Sequence, residues 1–220
     1  MALRKVYEEQ LNKLHDKLTQ MGSLCTLAVE LAIESVKTGD KNLAERTRET
    51  DEVIEQEEQE IEYLCQSLLL KQQPVAGDLR RISAAQKMVS DLERIGDQSA
   101  DIAEISSYII IRDGAVAEDI YAMAREVTNM VSSSVDAFIR NDLALARDVI
   151  DWDDRADACF VDIKDDLIEA ISEDNSQGGY YVDVLMVAKY LERIGDHAAN
   201  VAEWVKYSIL GTHDSEAAGT

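Results

Sequence analysis

The sequence predicts an all-α protein of two tandem three-helix bundles related by an internal repeat, six long helices in all. Three observations carry this. The hexapeptide L-E-R-I-G-D occurs twice, at Leu92–Asp97 and Leu191–Asp196, and the echo continues as D-Q-S-A-D-I-A-E (Asp97–Glu104) against D-H-A-A-N-V-A-E (Asp196–Glu203). A repeat of this length sets the architecture before any single element is argued. One proline and ten glycines in 220 residues leave few places to interrupt a helix. Apolar residues recur at the three- and four-residue spacing of helix faces, and at 46% hydrophobic the chain has enough apolar mass for a core.

The elements follow in order. Val6–Val36 carries Leu11, Leu14, Leu18, Met21, Leu24, Leu27 and Leu31 and ends at Thr38-Gly39-Asp40. There glycine can close one helix and aspartate can cap the next. Asn42–Lys71 is a second helix through Leu43, Val53, Ile54, Ile61, Leu64 and Leu68. Pro74 suits the start of a third, from about Val75 to Ile111, broken by Arg112-Asp113-Gly114. Glu118–Arg140 is the fourth, and Asn141-Asp142 takes the part of Gly39-Asp40. Leu143–Ser172 is the fifth, Glu173–Gly179 a loop, and Tyr180–Leu210 the sixth. Asp40, Leu43, Ala44 and Asp51 align with Asp142, Leu145, Ala146 and Asp153. The repeated hexapeptides align at a spacing three residues shorter, so the later copy lacks three residues between its second and third helices. The domains are read as 1–113 and 114–211, with 212–220 a short flexible tail.

The net charge is −22. Such a surface repels phosphate groups, so nucleic acid is not an expected partner, and the charge is also that of a soluble protein in a high-salt cytoplasm. Cys25, Cys65 and Cys159 are odd in number and widely spaced, which fits buried thiols in a reducing compartment. The N-terminus lacks an apolar signal region, and no run approaches the roughly 18 apolar residues of a membrane span. A cytoplasmic location is expected.

The repeated segment carries carboxylates at helical spacing. Glu93, Asp97 and Asp101 lie at i, i+4 and i+8, with Glu104 on the same side and Gly96, Ala100 and Ala103 beside them, leaving room for a neighbouring backbone. The later row is Glu192, Asp196, Asn200 and Glu203, with Gly195 and Ala202 beside it. Asp51/Glu55 and Asp153/Asp157 form matching pairs on the second helix of each copy. If second and third helices face each other there, one set is Asp51, Glu55, Glu93 and Asp97, and the other is Asp153, Asp157, Glu192 and Asp196. Four converging carboxylates repel unless a cation sits among them, and oxygen-only donors suit magnesium, calcium, manganese or ferric iron. On spacing alone a solvated acidic face is the simpler account. The doubling of the row, with its glycine, strengthens the metal account. Arg94 and Arg193 are most simply structural partners of neighbouring carboxylates, and Arg46, Arg48 and Arg147 solvent-facing. Trp152 and Trp204 are expected to pack on the bundles. His197 follows Asp196, but its counterpart is Gln98, so the repeat does not support it as a ligand.

No catalytic constellation is present: no G-x-S-x-G, no P-loop and no Glu-x-x-His. Three classes stand side by side: a non-enzymatic signalling adaptor, a carboxylate-bridged metalloenzyme, and a metal-free helical scaffold.

The doubled L-E-R-I-G-D, the lead-in Q-Q-P-V-A-G-D-L-R-R-I (Gln72–Ile82) and the two tandem three-helix units resemble the PhoU family of phosphate-transport regulators, over about residues 3–210. The resemblance implies a cytoplasmic negative regulator of phosphate uptake and phosphate-responsive signalling, not an enzyme. It implies contact with the ATPase of the phosphate ABC transporter and, in bacteria, with a sensor histidine kinase. Membrane association would come only through those partners, and a homodimer is compatible with the reading. It further implies multinuclear metal, iron or zinc, at E(D)-x-x-x-D motifs matching Glu93/Asp97 and Glu192/Asp196, a pattern that Asp51/Glu55 and Asp153/Asp157 also fit. Two departures stand out. Asn200 replaces the counterpart of Asp101, so the two sites differ in charge. The later copy lacks the P-x-x-D-L-R lead-in, so any partner surface built on Asp78 and Arg80 exists once.

Overall fold

The computed structural model describes residues 2–72, 76–112 and 114–212. Pro74, Asp113 and residues 213–220, on which the start of the third helix, part of its break and most of the tail were read, lie outside the described residues. Six helices follow in order: α1 Ala2–Thr38, α2 Lys41–Gln72, α3 Ala76–Ile105, α4 Ala115–Arg140, α5 Leu143–Glu173 and α6 Gly178–Leu210. Among the described residues there is no strand.

The hinges of the two copies are built alike. Gly39 (φ 71°) closes α1 in the left-handed region, and the Asp40 carboxylate accepts from the Asn42 N–H at 2.8 Å. Asn141 (φ 54°) closes α4, and Asp142 accepts from the N–H groups of Ala144 and Leu145 at 3.0 and 3.1 Å. Each aspartate thereby satisfies N–H groups that a helix start leaves without an intrahelical acceptor.

Helices α1 and α4 start at Ala2 and Ala115, ahead of Val6 and Glu118, and two further boundaries differ from the sequence reading. The third helix ends at Ile105, six residues before Ile111. The Ser106 and Ser107 hydroxyls donate back to the carbonyls of Ala103 and Glu104, and the backbone tightens through Tyr108 N–H to Ile105 O at 2.9 Å. Such back-bonding competes with the helix ladder, and the β-branched run Ile109–Ile111 favours extended backbone. The chain then crosses to α1, where the Ile111 N–H donates to Val36 O at 2.8 Å and the Ile111 side chain is 3% exposed. In the Glu173–Gly179 segment, Asn175–Gln177 forms a 3-10 turn, the Ser176 N–H donating to the Asp174 carboxylate at 3.0 Å, and α6 starts at Gly178 rather than Tyr180.

Helices α1, α2 and α3 pack pairwise into one three-helix bundle, and α4, α5 and α6 into a second. The bundles join along two seams, α3 on α6 and α1 on α4. The buried apolar residues form one continuous core that runs through both halves. Cys25 and Cys65 are buried as expected, while Cys159 is only half-buried. Trp152 and Trp204 pack on the core's margin. Leu27 and Val53, read as face positions of α1 and α2, stand exposed. No described helix is long and apolar enough to cross a membrane.

Candidate metal centre

The seam between α2 and α3 positions the first carboxylate set. Asp51 points from α2 across α3 at Gly96: a Cβ on Gly96 would stand 2.4 Å from Asp51 Oδ1 and 3.2 Å from Ile54 Cδ1. The glycine therefore admits a carboxylate, not the neighbouring backbone the sequence suggested. Asp51 Oδ1 is buried with no hydrogen-bond partner. Burial, followed by the negative charges of Asp97, Glu55, Glu93 and Asp101, pushes the Asp51 carboxyl up to about 7. Glu93 is raised by burial and by Asp97, with Arg94 opposing.

The α5–α6 seam repeats the arrangement. Asp153 Oδ1 is again buried without a partner and stands 3.5 Å from the Cβ position of Gly195. Burial, then Asp196, Asp157, Asp154 and Glu192, push its carboxyl up to about 6. Asp157, Glu192 and Asp196 each offer an oxygen within 4.8 Å of the others'. No other group of three His, Cys, Asp or Glu side chains among the described residues comes this close. Asp196 is raised by burial, then by Glu192 and Asp157.

The copies differ in which cation answers the repulsion. In the first, the Arg94 guanidinium lies 2.8 Å from Asp97 and 3.5 Å from Glu93. In the second, Lys189 Nζ donates to both oxygens of Glu192 at 2.5 Å, while Arg193 exerts its charge on Asp101 of α3. Asp101 is raised by burial and by Asp97 and accepts a hydrogen bond from the Tyr190 hydroxyl of α6. Asn200 is not gathered with the second set. Its amide donates to Asp91 of α3 at 3.3 Å, and His197 Nδ1 meets the same oxygen at 3.0 Å. His197 is thus paired with Asp91 and is not one of the convergent trio. Asp91–Asn200 and Tyr190–Asp101 are counterparts of one another in the repeat, so the α3–α6 seam is pseudo-symmetric. Sequence reasoning missed Lys189, Asp91 and Tyr190. Only Lys189 had a visible signal, its i, i+3 spacing to Glu192.

The chemistry of the donor set fits a hard cation. Each copy holds a buried carboxylate oxygen with no hydrogen-bond donor, among carboxylates whose mutual repulsion raises their affinity for protons and would do the same for metal. Asp51, Glu55, Glu93 and Asp97 would hold it in one copy, and Asp153, Asp157, Glu192 and Asp196 in the other. Asp101 stands at the edge of the first set.

Comparison with known proteins agrees with both the fold and the repeat. The model of the PhoU domain matches residues 18–106 and again 120–205. The phosphate-specific transport system accessory protein PhoU homolog of Clostridium acetobutylicum is 37% identical over 210 residues, covering 94% of this chain and 96% of that protein. A homologue with the same description from Pseudomonas aeruginosa is 32% identical over 209 residues, covering 94% of this chain and 86% of its own. The crystal structure of PhoU from Pseudomonas aeruginosa superposes with a TM-score of 0.89 at 32% identity, covering 94% of this chain and 100% of that one. The phosphate transport system regulatory protein PhoU from Streptococcus pneumoniae does so at 0.86 and 25% identity, covering 94% and 98%. These descriptions are of transport accessory and regulatory proteins, not of enzymes. With both halves matched by the domain model and the relatives covered almost end to end, the chain belongs to the PhoU family.

Proposed function

We propose that this protein is a negative regulator of phosphate uptake that acts by contact rather than catalysis. It would dock on the ATPase of the phosphate ABC transporter at the cytoplasmic face and, where a sensor histidine kinase is present, report to it. The observation that carries this reading is the match of both halves to a family of phosphate-transport accessory proteins over nearly the whole chain. The surface charge of −22 suits basic protein partners and disfavours nucleic acid. The test is phosphate uptake in cells lacking the protein. Uptake at high external phosphate should rise and return to normal on complementation; unchanged uptake overturns the reading.

Metal at the two carboxylate sets belongs to the same proposal. Its support is the pair of buried, unpartnered oxygens of Asp51 and Asp153 at equivalent places in the two copies. Bound there, a di- or trivalent cation would supply positive charge and tie α2 to α3 and α5 to α6. Asp51 and Asp153 would offer the buried oxygens, with Glu55, Glu93 and Asp97 beside the one and Asp157, Glu192 and Asp196 beside the other, and Gly96 leaves the space that Asp51 occupies. The donor chemistry leaves iron, manganese, magnesium and calcium open, and zinc rests on the family resemblance.

A further inference from the structure

We propose that Lys189 is a tethered counter-ion of the second carboxylate set, which a metal ion must displace from Glu192, so that Lys189 sets the metal affinity of that copy alone. The inference rests on the metal reading of the preceding section and adds to it a residue that sits outside the repeated motif.

The geometry is specific. Lys189 Nζ takes both oxygens of Glu192, one of the three side chains whose oxygens converge. A cation shared by Asp157, Glu192 and Asp196 needs an oxygen that the ammonium already holds, and two positive charges competing for one carboxylate repel each other. The displaced side chain has a resting place. Its Nζ already lies 5.1 Å from the centre of the Phe160 ring, and the side chain is 42% exposed, so it can leave Glu192 and keep a favourable contact with the aromatic face. Metal entry then costs one ion pair and leaves no buried lone charge.

The repeat supplies an internal comparison. The first copy has Ser90 in place of Lys189 and Glu58 in place of Phe160, and those two share a hydrogen bond. Among the described residues no lysine ammonium pairs with Glu93; the first copy uses Arg94 instead, 2.8 Å from Asp97 and 3.5 Å from Glu93. A planar guanidinium and a compact ammonium, arriving from different positions, make the two sites unequal despite nearly identical motifs. Arg193, which stands where Arg94 does in the first copy, lowers the Asp101 carboxyl by its charge, whereas Glu192 is held by Lys189.

The test uses the full chain with the first copy disabled by Glu93→Gln and Asp97→Asn, titrated with manganese(II) and followed by paramagnetic resonance of the free ion. Lys189→Met should tighten binding roughly tenfold or more, a change of about 1.4 kcal/mol per factor of ten. Arg193→Met removes the same charge from the adjoining face but no bond to Glu192, and should change binding less than threefold. The melting temperature of metal-free Lys189→Met should fall, because Glu192 loses its partner, while the metal-induced rise grows. Equal effects of Lys189→Met and Arg193→Met would overturn the displacement and leave the metal site standing. Binding by none of these proteins would overturn the metal reading and this inference with it.

Discussion

Replacing Gly96 and Gly195 with alanine, each alone, separates the two copies by sign. Both glycines lie inside long helices, where alanine is more favourable than glycine by about 1 kcal/mol. At Gly195 the new methyl would meet Ala156 Cβ, Asp153 Oδ1 and Val127 Cγ1, all at 3.5 Å, which is ordinary contact. The propensity gain is then kept, and Gly195→Ala should stabilise by up to about 1 kcal/mol. At Gly96 the methyl would stand 2.4 Å from Asp51 Oδ1, with Ile54 Cδ1 and Cγ2 at 3.2 and 3.3 Å. Ile54 is fully buried, so it has little room to yield, and Asp51 must retreat by roughly 1 Å to restore a normal separation. Overpacking of this kind costs about 1–3 kcal/mol, which cancels or exceeds the gain. Gly96→Ala should therefore lie about 1–3 kcal/mol below Gly195→Ala in chelator-treated protein, measured by urea unfolding with a shared slope. It should also weaken metal binding in the first copy, because Asp51 is moved. Equal stabilities for the two variants, or a less stable Gly195→Ala, would refute the claim that Asp51 is seated on Gly96.

Three further outcomes follow from the same structure. In metal-free protein Asp51 has its carboxyl near 7 against an ordinary 3.8, so between those values the folded state holds a proton that the unfolded chain has released. Stability should fall as pH rises through that window. Asp51→Asn should be about 2 kcal/mol more stable than the parent at pH 8 after solvent screening of a half-buried group, and unchanged near pH 4; urea curves at the two pH values check this, and no gain at pH 8 contradicts it. Lys17 holds Glu57 at 2.8 Å, with Gln20 also donating to it at 3.2 Å, and Glu57 is only 8% exposed. Lys17→Met should cost about 3 kcal/mol and Lys17→Met with Glu57→Leu much less, a double-mutant comparison in which equal losses would disprove the pairing. Ile111→Ala should cost about 2–4 kcal/mol in urea unfolding, whereas a loss under 1 kcal/mol would show that the α3–α4 connection is not anchored there.

Much of the fold was legible because the signals were local. Gly39-Asp40 and Asn141-Asp142 announce their hinges by residue type, and the repeat supplies that boundary twice. The end of α3 was not legible. Ile109, Ile110 and Ile111 prolong an apolar pattern that reads as helix, and the core slot against Val36, together with the serine back-bonding, explains why the chain leaves the helix axis. The acidic rows were visible as a spacing, and the second-helix pairs by their place in the repeat. What spacing does not carry is depth. That one oxygen each of Asp51 and Asp153 is buried and unpartnered depends on how close α2 and α5 approach the glycines of α3 and α6. The removal of Asn200 and His197 to Asp91 was hidden for a different reason. It is a contact between the copies, and a repeat read within each copy says nothing about the seam between them.

The central claim is that the doubled carboxylate sets hold metal. Elemental analysis of untagged protein purified without chelator, beside the Glu93→Ala, Asp97→Ala, Glu192→Ala, Asp196→Ala quadruple variant, tests it most directly. The account predicts stoichiometric metal in the parent and its loss in a variant that remains helical and folded. A parent without metal, or a folded variant that retains it, would contradict the claim and return the rows to solvated acidic faces.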